Sequence, residues 1–189
     1  FLPQFLITFH RVDDESDMEA YVARIGGVAR LIDQLVERAR INAREGVRPP
    51  RFAYEAVIAQ SRGVVSGAPF GGEGDAPLWA DAKAKIAALV AAGKIDEPRA
   101  AAFRVAASEA LSASLKPSYD NLIAWLESDI DNADRVATGV GKLPNGAAYY
   151  AERLAFSTTT NMTPEQVHAF GLSEVARLKS EMEAIKQQV

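Results

Sequence analysis

The sequence lacks cysteine altogether and has only two histidines among its 189 residues. Without cysteine the chain can form no disulfide bond, no catalytic thiolate and no cysteine-ligated zinc site, although export is not excluded. Long hydrophobic runs are also missing. The apolar stretch at residues 5–9 is far too short to span a bilayer, and it has neither the charged flank nor the cleavage site of a signal peptide. A net charge of −4 argues against a nucleic-acid-binding surface.

Hydrophobic residues make up 48% of the sequence and charged residues 24%, which is the composition of an ordinary globular protein. Apolar side chains recur at spacings of three and four residues through most of the chain, the period of a helix that packs on one face. No long segment alternates with period two. We therefore predict an all-α array of about six to eight helices, several of them long and kinked, without a substantial sheet. Residues 1–189 are expected to form a single helical region.

The first part of the chain predicts one long helix after a short leading segment. Residues 1–9 contain Pro3 and predict an extended segment or a turn. An apolar stripe at helical spacing follows, and Asp14 or Ser16 is suited to cap its helix. Gly26 and Gly27 interrupt this stripe, so a kink or two short helices are expected there. The stripe consists of Met18, Tyr21, Ile25, Val28, Ile32, Leu35 and Ala39.

Further helices are predicted at about residues 51–65 and 78–92, followed by one capped by Asp96 that must kink or restart at Pro117. Between the first two, residues 66–77 hold four glycines and two prolines. This composition predicts a loop, and a segment of this length is expected to be mobile. The last helix begins with Thr163, Pro164 and Gln166, the residues of a capping box. Its apolar stripe consists of Val167, Gly171, Val175, Leu178, Met182, Ile185 and Val189.

An ordered series of short motifs in the last third of the chain resembles a known family. The series comprises Leu143-Pro144-Asn145-Gly146, Ala147-Ala148-Tyr149-Tyr150, Ser157-Thr158-Thr159-Thr160, Thr163-Pro164-Glu165-Gln166-Val167-His168 and Gly171-Leu172-Ser173-Glu174-Val175. Weaker matches lie at residues 10–13, 19–24 and 46–52. The sequence resembles the bacterial family known as domain of unknown function 885, which is similar to helical zincin-type metallopeptidases. The resemblance implies a hydrolase that uses zinc and an exported, periplasmic location.

A zincin requires two histidines one helical turn apart, beside a glutamate that acts as general base. This chain has only His10 and His168, which lie far apart, and contains no His-Glu-x-x-His motif. If the resemblance holds, the zinc motif lies beyond Val189 in a longer protein. The chain would then be its non-catalytic N-terminal part, with the missing C-terminal region as its partner. We accordingly expect no catalytic residue and no metal ligand in these 189 residues.

Other patterns that bear chemistry are better explained by structure. Glu165 and His168 form one Glu-x-x-His pair, but a carboxylate-bridged metal bundle needs two. The aspartates Asp129, Asp131 and Asp134 lack the glycine and glutamate of a calcium loop. His10 is expected to be salt-bridged or exposed. A cluster of arginines is expected on a solvated helix face, because glutamates interrupt it; its members are Arg38, Arg40, Arg44, Arg48 and Arg51.

The best candidates for a functional surface are two tyrosines and three threonines. Tyrosine and threonine hydroxyls can form hydrogen bonds to a peptide-like substrate. The candidates for the wall or lid of a substrate cleft are Tyr149, Tyr150, Thr158, Thr159 and Thr160. A structural role remains open for them, since the threonines could satisfy backbone groups between two helices. The alternative function is a helical interaction or scaffold module without enzymatic activity, whose last helix pairs with a partner.

Overall fold

The computed structural model describes residues 2–188, and within them the chain is all-α, as the sequence predicts. Phe1 and Val189, which the predicted leading segment and the last apolar stripe included, lie outside the described residues. The only β pairings among residues 2–188 are isolated bridges in one loop. The described part of the chain contains eight α-helices: α1 Leu2–Phe9, α2 Glu15–Arg44, α3 Arg51–Val64, α4 Pro77–Ala91, α5 Glu97–Glu109, α6 Lys116–Asp129, α7 Gly146–Thr158 and α8 Pro164–Lys186.

The chain divides into two compact units, Phe1–Ala137 with α1 to α6 and Thr138–Val189 with α7 and α8. In the first unit, α2 is the central helix and packs against α1, α4, α5 and α6. A continuous core of buried side chains runs along α2 and the faces of α4, α5 and α6 that meet it. Its largest fully buried members include Met18, Tyr21, Ile25, Ile86, Leu111 and Leu115.

The prediction of an extended segment before the first long helix is wrong, because α1 begins at Leu2 and ends at Phe9. Pro3 lies in the first helical turn, where its missing N–H breaks no hydrogen bond. Leu6 is 3% exposed in the core of the first unit, and burial of this apolar side chain stabilises the short helix. Tertiary contact thus overrides the weak helical signal of this segment.

Helix α2 is continuous over 30 residues, so of the two alternatives predicted at the glycine pair, a kink or two short helices, the second is wrong. Asp14 caps its first turn by accepting a hydrogen bond from the backbone N–H of Asp17 at 3.0 Å. Gly26 and Gly27 lie within the helix, and the two glycines are tolerated because the stripe on either side is buried. Their cost relative to alanine is about 1 kcal/mol each, which is small beside the burial of residues such as Tyr21 and Ile32.

Helices α5 and α6 are joined by a six-residue π-helical segment, Ala110–Leu115. Pro117 has no backbone N–H and disfavours a regular helix before it. The wider π turn accommodates this proline in the first turn of α6, and Lys116 donates to the carbonyl of Leu111. The hydroxyl of Ser118 then donates to the carbonyl of Ser114 at 3.3 Å. The restart predicted at Pro117 therefore takes the form of a π segment.

The glycine-rich connection between α3 and α4 is closed by backbone hydrogen bonds. Gly67 N donates to Gly71 O at 2.9 Å, Ala68 N donates to Gly74 O at 2.8 Å, and Ala76 N donates to Ala68 O at 2.8 Å. Gly67 adopts φ = +89°, and a Cβ there would lie 2.9 Å from Ala76 N. Glycine is required at this position by both conformation and space. The segment is thus a loop, as predicted, with a defined internal geometry.

The second unit begins with a 3₁₀ turn, Val140–Lys142, that leads into α7. Asn145 adopts the left-handed conformation with φ = 57°, and Gly146 follows as the first residue of α7. A Cβ at Gly146 would overlap the carbonyl oxygen of Val140, so only glycine fits. After α7, Thr163 caps α8. Its hydroxyl accepts from Gln166 N at 3.3 Å, and the Gln166 side chain accepts from Thr163 N at 2.8 Å, which completes the predicted capping box.

Candidate functional site

The candidate tyrosines lie in the first turn of α7, directly after the Leu143-Pro144-Asn145-Gly146 turn. Tyr149 is 55% exposed and Tyr150 is 47% exposed, so about half of each side chain is open to solvent. Arg153 lies one turn after Tyr149, and its guanidinium stacks over the ring of Phe156 at 4.9 Å. Glu152 binds the same guanidinium at 2.5 Å. The start of α7 is thus an exposed aromatic surface with an arginine held beside it.

The candidate threonines lie at the other end of α7, where they satisfy one another and the helix terminus. Thr158 Oγ1 donates to the carbonyl of Leu154 at 2.8 Å and lies 2.9 Å from Thr160 Oγ1. Thr159 adopts the left-handed conformation that ends the helix, with φ = 54°, and its hydroxyl donates to the carbonyl of Thr158 at 2.7 Å. These hydrogen bonds give the threonines the structural role that the sequence left open.

The five candidates do not form one cluster. Tyr150 and Thr158 are separated by eight residues of a helix, or about 12 Å along its axis at 1.5 Å per residue. No single reacting atom could contact both groups. An extended, peptide-like molecule lying along α7 could meet the tyrosines at one end and the exposed Thr159 and Thr160 at the other. The arrangement suits a binding surface better than a catalytic centre.

The strongest electrostatic constellation in the first unit is centred on Asp129, which is 8% exposed. Arg48 binds its carboxylate in a bidentate geometry, at 2.9 Å through Nε and 3.0 Å through Nη2. The hydroxyl of Tyr54 donates to the same carboxylate at 2.7 Å, and Asn132 donates through Nδ2 at 3.0 Å. The side chains that donate hydrogen bonds to Asp129 all belong to other parts of the chain or to residues just after the end of α6. Asp129 therefore ties α6 to α3 and to the segment before it.

The hydrogen bonds from Arg48 lower the pKa of Asp129 to about 2, against the opposing effect of burial. Burial, followed by the hydrogen bond to Asp129, raises the pKa of Tyr54 well above its usual value. Both groups are held in a single protonation state and are fully bonded. This constellation is a structural clamp, because it offers neither a free acid nor a free base.

The prediction that the arginine cluster lies on a solvated helix face is wrong for Arg48 and Arg51. Arg48 binds Asp129, while Arg51 binds Asp131 at 2.8 Å and Glu55 at 3.1 Å. The partners Asp129 and Asp131 lie about 80 residues away in sequence, a pairing with no local signal. Two of the three aspartates that resemble part of a calcium loop, Asp129 and Asp131, are therefore ion-pair partners of arginines.

His10 is buried, contrary to the prediction of a salt-bridged or exposed side chain, with 7% of its surface exposed. Its Nε2 lies 3.1 Å from the carbonyl oxygen of Asp17, which can only accept a hydrogen bond. Its Nδ1 lies 2.6 Å from Nη1 of Arg24, which can only donate. Both ring nitrogens are thus occupied, and the tautomer is fixed with the proton on Nε2. His10 has no nitrogen left for a metal ion.

Next to this histidine, Tyr21 and Lys85 share the carboxylate of Asp81. The Tyr21 hydroxyl donates at 2.7 Å and the Lys85 ammonium at 2.6 Å. The ring of His10 packs edge-on against Tyr21 with centroids 5.2 Å apart. No sequence pattern indicated this network, because Tyr21 and Asp81 are 60 residues apart. It stabilises the junction of α1, α2 and α4 rather than any open site.

An apolar cavity of about 370 Å³ lies between α2, α3 and α6. Its walls include Ile32, Leu35, Val57, Leu122 and Trp125, and the buried ring of Tyr54 forms part of its floor. No charged side chain lines it. The cavity therefore lacks the convergent polar groups of an active site.

The chain matches the sequence profile of the family described as "Bacterial protein of unknown function (DUF885)" over residues 1–189. None of the curated proteins is significantly similar. The fold is similar to a crystal structure from Colwellia psychrerythraea described as a "putative lipoprotein", with a TM-score of 0.82 at 19% sequence identity. The similarity covers 96% of this chain but spans only 30% of that one.

Proposed function

This chain belongs to the bacterial DUF885 family, and we propose that it is the non-catalytic helical part of a zinc-dependent metallopeptidase-like hydrolase. In this proposal it contributes the wall or lid of a substrate cleft. The observation that carries the proposal is the exposed aromatic and hydroxyl surface of α7, with Tyr149 and Tyr150 at one end and Thr159 and Thr160 at the other. A surface of this kind suits hydrogen bonding to an extended peptide.

The residues of this chain do not fit a zinc site. Among residues 2–188, no three His, Asp or Glu side chains are grouped so that they could hold a metal ion. His10 has both nitrogens occupied, and His168 is exposed on α8 with Glu165 in the preceding turn. A catalytic zinc needs three protein ligands. We therefore assign the zinc of the proposed hydrolase to chain outside these 189 residues and derive no step of its chemistry.

The remaining chain of a longer protein is the proposed partner. The Colwellia psychrerythraea protein is more than three times longer than the part matched here, which leaves room in such a protein for a catalytic region. Its description as a lipoprotein supports an exported location, and we propose the same for this chain. Within residues 2–188, no helix is long and apolar enough to cross a membrane.

The test compares this chain with the complete product of the gene that contains it. We expect the chain alone to purify without bound zinc and to hydrolyse no peptide, and the complete product to hold zinc and to hydrolyse peptides. Tyr149→Ala with Tyr150→Ala should raise KM of the complete product by about tenfold and change kcat little, because the tyrosines are assigned to binding. One tightly held zinc per purified 189-residue chain would contradict the proposal, as would a complete product that is inactive when loaded with zinc.

A second candidate function is a helical interaction module without enzymatic activity. The observation that favours it is that α8 buries none of its residues within the described chain. A helix with an apolar stripe normally packs that stripe against something.

A further inference from the structure

The apolar stripe of α8 is uncovered along the second half of the helix. Val175 is 51% exposed, Leu178 48%, Met182 65% and Ile185 62%. These side chains follow one another at spacings of three, four and three residues, so they lie in a single line on one face. Four large apolar side chains in a line, each about half exposed or more, form an interaction surface rather than scattered surface residues.

The spacing of the stripe is that of a coiled-coil heptad. Val175 and Met182 take the a positions, and Leu178 and Ile185 take the d positions. A β-branched residue at a with leucine at d, as in Val175 and Leu178, favours a parallel two-stranded pair. The heptad is interrupted earlier in α8, where Gly171 takes the preceding d position and offers no side chain. The pairing surface is therefore confined to residues 174–186.

The charges beside the stripe are complementary to those of a second copy. Glu174 and Glu181 take the g positions on one edge, and Lys179 and Lys186 take the e positions on the other edge. Each glutamate precedes its lysine by five residues. Side chains five apart lie on opposite edges of the stripe and do not meet within one helix. In a parallel pair, however, the g residue of one helix faces the following e residue of its partner, so both pairs form between copies.

The contacts within α8 leave these charges available. Arg177 binds Glu174 at 2.9 Å and Glu181 at 2.7 Å, and Lys186 lies 3.3 Å from Glu183. All five side chains are more than a third exposed, and ion pairs of this kind contribute little. Lys179 has no ion-pair partner within residues 2–188. An antiparallel arrangement would place glutamate beside glutamate and lysine beside lysine. The charge pattern thus selects both the partner and the orientation.

We propose that α8 is a self-association helix through which two copies of this chain pair in parallel and in register over residues 174–186. The second copy covers Val175, Leu178, Met182 and Ile185 and supplies a partner for Lys179. Because fewer than two full heptads are involved, the dimer is weak and forms only at high protein concentration. This proposal identifies a second copy of the chain as the partner of the interaction module. It is independent of the hydrolase proposal.

The first test uses paired charge reversals on the full 189-residue chain, followed by sedimentation equilibrium from about 10 μM to about 1 mM. The wild-type chain should shift towards twice the monomer mass as its concentration rises. Glu174→Lys with Glu181→Lys should stay monomeric, and so should Lys179→Glu with Lys186→Glu. An equimolar mixture of the two variants should associate again, because the pairing charges are restored between unlike chains. A monomeric wild-type chain, or a mixture that does not associate, would overturn the proposal.

Two matched substitutions on α8 distinguish pairing through the stripe from non-specific association of exposed apolar side chains. Leu178→Asp should weaken association by about tenfold or more, because it places a carboxylate at a d position. Phe170→Asp removes an apolar side chain of similar exposure, 59%, that lies off the stripe, and should leave association unchanged. Circular dichroism checks that both variants keep their helix content. Equal effects of the two substitutions would contradict pairing through the stripe.

The absence of cysteine allows the orientation to be tested directly. In a parallel pair the two copies of Val175 face each other, so Val175→Cys should form a disulfide-linked dimer on mild oxidation. An antiparallel pair would place Val175 opposite Ile185 of the other copy and give no more cross-linking than the off-stripe control Phe170→Cys. Equal yields from the two cysteine variants would exclude the parallel register. Loss of the dimer would leave the zinc and peptidase measurements of the hydrolase proposal unaffected.

Discussion

Helices α2 and α8 carry the same kind of apolar stripe and have opposite environments. In α2 the stripe includes Met18, Tyr21 and Ile25, which are 0% exposed in the core of the first unit. In α8 the corresponding residues Leu178 and Met182 are 48% and 65% exposed. A helical period thus predicts a helix that can pack on one face, whereas burial of that face depends on whether a neighbouring element contacts it. The exposed apolar stripe of α8 therefore requires a partner that covers it.

The sharpest test of this comparison truncates one leucine in each unit. Leu111 is 0% exposed, and Leu111→Ala should lower the free energy of unfolding by about 2–5 kcal/mol through lost burial and a residual cavity. Leu178→Ala, measured at a concentration where the chain is monomeric, should change it by less than about 0.5 kcal/mol. Urea denaturation followed by circular dichroism measures both. A large effect at Leu178 in the monomer would show that its stripe is already packed.

The next largest effect is expected at the Asp129 clamp. Asp129→Asn removes the negative charge that holds the largely buried guanidinium of Arg48, and should lower the free energy of unfolding by about 2–4 kcal/mol. Asp120→Asn is the matched control on the same helix, since its ion pair with Lys116 is half exposed and weak. Equal losses from the two substitutions would refute a special role for the clamp.

The same clamp makes stability depend on pH. Because the folded-state pKa of Asp129 is lowered to about 2 from an ordinary value of 3.8, the carboxylate stabilises the fold above pH 3.8. This contribution is lost as pH falls from 3.8 towards 2, where the folded protein also binds the proton. The difference in unfolding free energy between wild type and Asp129→Asn should shrink over that window. A difference that stays constant from pH 5 to about pH 2 would contradict the assignment.

In the second unit, the turn before α7 is the position most sensitive to a single methyl group. Gly146→Ala places a Cβ against the carbonyl oxygen of Val140 and should destabilise the start of α7 by about 1–3 kcal/mol. Gly141→Ala, five residues earlier, meets no atom within 4 Å and serves as the control. Hydrogen exchange of the α7 amides should become faster in the first variant only. Slower or unchanged exchange in Gly146→Ala would show that the turn relaxes without cost.

The smallest effect is expected at the start of α8. Thr163→Ala removes the capping hydroxyl and should weaken the first turn by about 1 kcal/mol. Since α8 buries none of its residues within the described chain, the loss should show as fraying of α8 alone, with no change in the unfolding of the first unit. Amide exchange at residues 166–168 measures the first effect, and urea denaturation measures the second. Thr163→Ser should restore the protection.

The sequence predicted the helices whose ends carry local signals. Asp14 and Asp96 cap α2 and α5, and Thr163 with Gln166 forms the capping box of α8, as expected. The errors lie where a distant contact decides the outcome. Residues 2–9 are helical because the side chain of Leu6 packs in the core of the first unit. His10 can be buried because Arg24 and the carbonyl of Asp17 form hydrogen bonds with its two ring nitrogens. No periodicity encodes such contacts.

In the candidate site too, some features could be predicted from the sequence, whereas others depend on contacts or backbone conformations that have no sequence signal. Exposure of Tyr149 and Tyr150 agrees with their selection from the motif series, while their role as cleft residues stays a prediction. Thr158 and Thr159 donate hydrogen bonds to backbone carbonyls at the end of α7, and Thr159 adopts a left-handed conformation that the sequence does not indicate. The ion pair of Arg48 and Asp129 was not predicted, because the two residues are 81 positions apart in the sequence.

The all-α class, the positions of most helices and the absence of a zincin motif from these 189 residues can be read directly from the sequence. These properties follow from interactions between residues a few positions apart, which caps, prolines and helical spacing report directly. The tertiary structure is needed to show which apolar stripes are buried, which arginines form ion pairs, and that both ring nitrogens of His10 are hydrogen-bonded. Those outcomes depend on side chains that meet across many residues of chain, and α8, whose stripe has the same period, buries none of its residues within the described chain.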